Sequence, residues 1–263
     1  MVGDAVVQYR GQLYFFSAAE FVYRYDPVVN SWSSLDLSVD DDYYKMAVVR
    51  GDIYAVGMLD TSEEQTKVIR YNIELCAWET VLLSHSGFRQ DACVVAAGRH
   101  LYVIGGRHSE GRYVAKAERF DTVKNTWEEI ADMKEERGDA FGVAMKERIF
   151  VAGGRHRERN SLLQTCEMYD ISANEWQLVG SLNAPRVHGS MVCLDQKLCV
   201  LGGKNEHDKA ELNVECFDPT EAKWIQRTII PVRTIEKKNK DTFIGCVLKL
   251  SRGMLDRLSI VEE

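Results

Sequence analysis

The sequence predicts an all-β protein built from one four-stranded antiparallel unit written five times. Three observations predict it. The five tryptophans, Trp32, Trp78, Trp127, Trp176 and Trp224, stand 46, 49, 49 and 48 residues apart. Seven residues before each comes an aromatic followed by Asp or Asn: Tyr25-Asp26, Tyr71-Asn72, Phe120-Asp121, Tyr169-Asp170 and Phe217-Asp218. Apolar runs ending in paired glycines recur as LYVIGG, IFVAGG and LCVLGG, which puts Gly105-Gly106, Gly153-Gly154 and Gly202-Gly203 at one repeat position. A period of about 50 residues marks an array of one structural unit, and four-stranded units at that period assemble into a β-propeller.

Within a repeat the elements follow in order. A first strand precedes a short polar turn, as Met46 to Val49 precede Arg50-Gly51 and Val94 to Ala97 precede Gly98-Arg99. The second strand is the nearly unbroken, β-branched-rich apolar run, a pattern that fits burial on both faces. Its terminal glycines allow positive φ and a close backbone approach where the chain leaves the sheet. The third strand ends in the aromatic-Asp pair. The linker that follows, DTVKNTW in the third repeat, has Asp early for side-chain capping and Asn late for a left-handed residue, which predicts a tight hairpin. The fourth strand carries the tryptophan, whose expected role is wedge packing between neighbouring sheets. Trp127 and Trp176 are expected to be buried there and Trp32 to matter less. The predicted blades are 5–36, 45–82, 91–131, 140–180 and 189–228. Residues 243–250, FIGCVLKL, match only a first strand and read as an orphan; 251–263 reads as a tail. The first repeat lacks the glycine pair, and the second keeps only Gly57-Met58.

Paired glycines, an aromatic-Asp pair, Asn-x-Trp and an Arg-containing loop leading into the next unit resemble the kelch repeat over about residues 5–250. The likeness is to the propellers of the BTB–kelch (kelch-like) proteins. In that family a BTB and a BACK domain precede the propeller, and the last strand commonly completes a blade begun upstream. Neither domain is found here, so the resemblance implies a shorter form or fragment of a six-bladed parent: five complete blades and one orphan strand. It also implies a protein-binding role. The leading expectation is the substrate-recognition module of a cullin-3 ubiquitin ligase adaptor, with cullin-3 reached only through the absent BTB domain. An actin-binding or scaffold kelch protein is the alternative, and a propeller enzyme a remote one.

Composition narrows the classes. A net charge of −7 argues against a general nucleic-acid binder, and no apolar run is long enough for a membrane span. The N-terminus shows no basic region followed by an apolar core, so no signal peptide is expected and a cytoplasmic location is. Seven cysteines, Cys76, Cys93, Cys166, Cys193, Cys199, Cys216 and Cys246, include no C-x-x-C pair; they are expected to be reduced, small apolar residues, with no zinc. His108, His156, His188 and His207 sit on loops, where histidines with arginine neighbours make a poor metal shell, so neither a metal, a cofactor nor catalysis is expected.

The candidate partner-binding residues fall in two loop sets, which the resemblance places on one face. Arg107, His108, Arg155, His156 and Lys204 follow the glycine pairs. Arg89, Arg137, Arg186, His188 and Arg233 lie on the loops leading into the next repeat. Tyr43 and Tyr44 end the acidic loop SVDDDYY of the first repeat. Together they predict a cationic face for a protein substrate, in particular an acidic peptide segment, because Arg favours bidentate carboxylate contacts.

Overall fold

A computed structural model describes residues 5–9, 11–17, 21–36, 45–58, 65–72, 75, 77–87, 89–108, 110–156, 161–194 and 196–229. Tyr43, Tyr44, Arg233, Cys76, Cys246, the expected strand 243–250 and the tail 251–263 lie outside these residues. The described chain is all strand and turn. Blade 1 is β1 (Ala5–Tyr9), β2 (Gln12–Ser17), β3 (Phe21–Asp26) and β4 (Ser31–Asp36); blade 2 is β5 (Lys45–Val49), β6 (Asp52–Met58), β7 (Gln65–Asn72) and β8 (Ala77–Gly87). Blade 3 is β9 (Cys93–Ala97), β10 (His100–Ile104), β11 (Ala117–Asp121) and β12 (Thr126–Ile130). Blade 4 is β13 (Phe141–Met145) and β14 (Arg148–Ala152), then a two-stranded ribbon of β15 (Arg155–His156) and β16 (Ser161–Leu162), then β17 (Thr165–Asp170) and β18 (Glu175–Ser181). Blade 5 is β19 (Ser190–Leu194), β20 (Lys197–Leu201), β21 (Asn213–Asp218) and β22 (Lys223–Ile229). Each blade is an antiparallel sheet whose strand order is its chain order. These are five propeller blades. Blades 1 and 2 fall in one compact unit, and blades 3 to 5 in a second, Gly87–Gly245.

The repeat spacing turns out to be a cross-strand contact. Tyr25 faces Trp32 across β3 and β4, with ring centroids 5.0 Å apart. Phe120–Trp127, Tyr169–Trp176 and Phe217–Trp224 repeat the pair at 5.3, 5.0 and 5.5 Å. Seven residues is the separation that brings two aromatics opposite each other across this hairpin, in the tilted arrangement their quadrupoles favour. The hairpin is closed by the Asp. Asp121 accepts the N–H groups of Val123 and Lys124, Asp170 those of Ser172 and Ala173, and Asp218 those of Thr220 and Glu221. The hydroxyl of Ser172 and the N–H of Ala173 hold the Asp170 carboxyl below the usual carboxylate range. The late position is left-handed: φ is 49° at Asn30, 53° at Asn125, 53° at Asn174 and 52° at Ala222.

The core of the second unit lies between blades. Ile104, Ala117 and Ile130 of blade 3 pack with Ile149, Val151, Tyr169 and Trp176 of blade 4. Phe141, Phe150, Ala152, Cys166 and Met168 of blade 4 pack in turn with Leu198, Val200 and Trp224 of blade 5. Trp176 is 3 % exposed, and its indole Nε1–H donates to the Ala131 carbonyl at 2.7 Å, while Ala131 N–H donates to Asn174 Oδ1 at 2.9 Å. Two hydrogen bonds therefore tie the exit of blade 3 to the hairpin of blade 4.

Two expectations need correction. Trp127 is only half-buried, unlike Trp176. The cysteines are not all reduced: Cys199 and Cys216 form a disulfide, because they stand directly opposite in the β20–β21 register with Cα atoms 4.1 Å apart. Cys166 and Cys193 are free thiols, and burial pushes the Cys166 thiol up to about 12.

Truncating Trp176 to Ala should cost about 3–5 kcal/mol in a denaturant melt, whereas Trp32→Ala, at a position 57 % exposed, should cost well under half of that. Ala222 carries the left-handed conformation without the side chain that suits it. Ala222→Gly should therefore raise stability by about 0.5–1 kcal/mol in the same measurement.

Candidate functional site

The loop edge of blades 3 to 5 is built on a buried ion pair that recurs three times. Arg89, Arg137 and Arg186 lie four residues before the first strand of their blades. Arg137 and Glu167 have side chains that are both 0 % exposed, with Nη2 to Oε1 at 2.8 Å. The same guanidinium donates to the carbonyls of Gly153 at 2.9 Å and Thr165 at 3.1 Å. Arg186 repeats this with Glu215 and the carbonyls of Gly202 and Asn213. Arg89 does so with Glu118 at 3.0 Å and the carbonyls of Gly105 and Val103. The carboxylate also holds the crossing loop: Glu167 accepts the N–H groups of Lys134 and Glu135, and Glu215 that of Asn183. Burial pulls the Arg186 guanidinium below its ordinary value and the Glu215 carboxylate opposes this; an arginine stays protonated regardless.

The glycine pairs are required by this crossing. Gly105 and Gly153 have φ of +63° and +65°, and a Cβ there would stand 2.3 Å from the Arg137 carbonyl and 2.4 Å from the Arg186 carbonyl. Gly106 and Gly154 then donate their N–H groups to those same carbonyls at 2.8 and 2.9 Å.

Arg89, Arg137 and Arg186 were expected on a binding face, and here the structure corrects the sequence. They are at most 6 % exposed, and each spends its charge on a glutamate and two carbonyls inside its own blade, Arg137 meeting Glu135 at 3.1 Å as well. What reaches the surface is the residue two positions later and the residue after each glycine pair. Asp91, Asp139 and His188 share one repeat position and one unusual backbone, with φ of 59°, 55° and 53°; Asp and His are among the side chains that tolerate the left-handed region. Their main chains are linked from blade to blade, Asp139 N–H donating to the Asp91 carbonyl at 2.8 Å and His188 N–H to the Asp139 carbonyl at 3.2 Å.

Arg107, Arg155 and Lys204 occupy equivalent places beside them, each bridged to the loop that leads into its blade, at Gln90, Gly138 and Val187. Arg107 lies 3.3 Å from Asp91, and Arg155 Nε lies 3.0 Å from Asp139. His188 Nδ1 is 3.6 Å from the other Asp139 oxygen, and Lys204 Nζ is 3.2 Å from Asp208. The expected cationic face is therefore a rim of alternating charge, because each arginine stands beside an aspartate that the sequence reading passed over. His108 and His156 are half-buried next to Arg107 and Arg155. Tyr113 completes the rim: its ring sits where a Gly138 Cβ would be, and burial, then the Asp139 charge, pushes its phenol above the ordinary value. The missed acids had a sequence signal, Arg-x-Asp at 89–91 and 137–139 and Glu-x-aromatic-Asp in AERFD, CEMYD and VECFD.

At the opposite edge of blade 3 a cavity of about 150 Å³ is lined by Arg99, His100, Arg119, Lys124, Asp121 and Glu128. Its arginines are paired, Arg99 with Asp121 at 2.8 Å and Arg119 with Glu128 at 2.7 Å. Burial, then the Arg119 charge, pulls the His100 imidazole below its ordinary value, so it is neutral at pH 7. Among the described residues no cluster of His, Cys, Asp or Glu is placed to hold a metal ion, and no helix is long and apolar enough to cross a membrane.

Glu215→Ala should cost about 3–5 kcal/mol in a denaturant melt, because it leaves the Arg186 charge buried without its carboxylate partner. Glu128→Ala, which opens the exposed pair with Arg119, should cost no more than about 1 kcal/mol.

Comparison with known proteins follows the same lines. A family model described as the KLHDC2/KLHL20/DRC7 Kelch-repeats domain matches residues 43–240. Kelch-like protein 23 of Homo sapiens is 31 % identical over 157 residues, 58 % of this chain and 26 % of that protein. Kelch-like protein 30 of Homo sapiens is 32 % identical over 108 residues, covering 39 % of this chain and 18 % of that protein. The matched region thus spans about a quarter or less of these relatives. Among solved structures, one described as the structure of YjhT superposes with a TM-score of 0.71 at 16 % identity, over 86 % of this chain and 83 % of that one, a likeness of fold.

Proposed function

The chain belongs to the kelch-repeat family of β-propellers, and from that premise we propose that it is a protein-interaction module whose binding site is the loop rim of blades 3 to 5. The finer reading is substrate recognition for a cullin-3 ubiquitin ligase in the cytoplasm, the ligase being reached through a BTB domain elsewhere. Its support is the similarity to kelch-like proteins. The chain acts by binding and not by turnover.

One observation carries the choice of surface. Arg107, Arg155 and Lys204 stand at equivalent places in three successive blades, on a frame that the buried Arg–Glu pairs hold rigid. A rigid frame lowers the entropy cost of binding. Arg107 and Arg155 keep side-chain exposures of 37 % and 43 %, and a guanidinium has five N–H donors, so each can engage a second carboxylate beside its own aspartate. The partner is a protein segment bearing acidic side chains, and His108, His156 and His188 border its path. Nucleic acid, membrane and cofactors have no part in this reading.

The test is affinity capture from cell lysate with the wild-type chain and with Arg107→Glu/Arg155→Glu, followed by titration of the captured protein. The double variant should bind about tenfold more weakly or worse, with a shallower salt dependence, while its melting temperature stays nearly unchanged. Equal affinity would remove the rim from consideration, and co-sedimentation of the chain with actin filaments would favour a cytoskeletal role.

A further inference from the structure

One position in the blade carries a chemistry that the function above does not use. It is the directly opposed pair on the two central strands. Its occupants are Tyr14 and Arg24 in blade 1, Tyr54 and Arg70 in blade 2, Tyr102 and Arg119 in blade 3, and Phe150 and Met168 in blade 4. In blade 5 they are Cys199 and Cys216, joined through sulfur. In blade 4 large side chains bury both members, Phe150 and Met168 at 4 % each, and in blades 1 to 3 they bury the tyrosine, Tyr14 at 2 %, Tyr54 at 4 % and Tyr102 at 1 %. The two cysteines are half-buried.

The strands they join are also the most weakly paired of the central ladders in this unit. Five residue pairs connect β10 with β11 and five connect β14 with β17. Between β20 and β21 there are two, Cys199 with Cys216 and Val200 with Glu215. The second pair contains the carboxylate that holds Arg186, and β20 runs directly into Gly202, Gly203 and Lys204 of the rim. Neither of the other free thiols of this unit's later blades competes for the bond. Cys166 is buried with its thiol pushed up to about 12, and Cys193 packs with the cluster of Leu198, Val200 and Trp224, on the face of blade 5 opposite to Cys199.

We propose that Cys199 and Cys216 are a reversible redox site, and that their dithiol–disulfide couple sets how firmly blade 5 holds its end of the binding rim. In reduction a small-molecule thiolate attacks one sulfur, forming a mixed disulfide and expelling the other cysteine as a thiolate. A second thiol then resolves the mixed disulfide. Two thiols become one disulfide, and the two electrons and two protons end on Cys199 and Cys216. In a reducing compartment the pair rests as the dithiol and closes under oxidation, the usual character of cytosolic disulfides. With the bond open, two residue pairs alone join β20 to β21, and Glu215 loses its covalent anchor one residue away.

The full chain is equilibrated in glutathione buffers of increasing oxidation, alkylated and digested with trypsin. The expected product is a linked pair of peptides 198–204 and 210–223, with Cys193 in peptide 187–197 alkylated throughout. Hydrogen exchange on the wild-type chain should then be faster by at least about tenfold at 198–201 and 213–218 in the reduced state, with 149–152 of blade 4 unchanged. Cys199→Ser should abolish both the linkage and the redox dependence. Unlinked peptides in the most oxidising buffer, or equal exchange in the two states of the wild-type chain, would overturn the proposal.

Discussion

The geometry of blades 3 to 5 depends on one interaction, a fully enclosed arginine–glutamate pair in each blade. A charge taken out of water is costly unless every donor and acceptor around it is met. The fold meets that demand with main-chain groups: the carbonyl at the glycine turn in each blade, a second carbonyl at the start of the third strand in blades 4 and 5 and at Val103 in blade 3, and the N–H groups of the crossing loop in blades 4 and 5. Arg137 alone joins Gly153, Thr165 and Glu167. The crossing loop, the exit of the second strand and the start of the third are thereby fixed to one another at a single point. Loss of either partner leaves an unpaired buried charge, whereas loss of both is tolerable. Blades 1 and 2 behave accordingly, with Tyr23 and Ile69 at the place of the glutamate and neither blade keeping the glycine pair.

The fold was legible in the sequence because its signals are local. The aromatic seven residues before each tryptophan is its partner across a hairpin, and the Asp and the left-handed Asn belong to the same hairpin. A reader of one strand and one turn sees the whole device. The site was less legible because its determinants are distant. Arg137 is separated from Glu167 by 30 residues, and nothing in the immediate surroundings of Arg137 says that its charge is enclosed. Arginines are mostly found at surfaces, so the ordinary expectation placed all of them on the binding face. The disulfide escaped for a related reason. Cys199 and Cys216 have no motif spacing, and only the register of two strands brings them opposite.

The rim that remains exposed is shaped by the backbone as much as by charge. Asp91, Asp139 and His188 are left-handed, and their main chains pass a hydrogen bond from one blade to the next. That conformation excludes β-branched residues and favours short polar ones or histidine, so an acid or an imidazole beside each glycine-loop cation follows from the turn itself. The alternation of charge on the rim is therefore partly a by-product of how consecutive blades are joined. A partner approaching it must share the arginines with carboxylates already in place, which favours recognition by geometry over simple attraction of opposite charge.

Blade 5 departs from blades 3 and 4 at several of these points together. The rim arginine becomes Lys204, the rim aspartate becomes His188, and the opposed central pair becomes a disulfide. Lysine offers a point charge where arginine offers a planar fork, and histidine offers an imidazole ring where aspartate offers a carboxylate. Asp139 is left to serve both Arg155 and His188. On the proposed reading, the end of the rim formed by blade 5 is adjustable in rigidity through the short β20–β21 ladder. Five residue pairs join the central strands in each of blades 3 and 4, so under the proposed function blade 5 is the place where redox conditions would alter the rim.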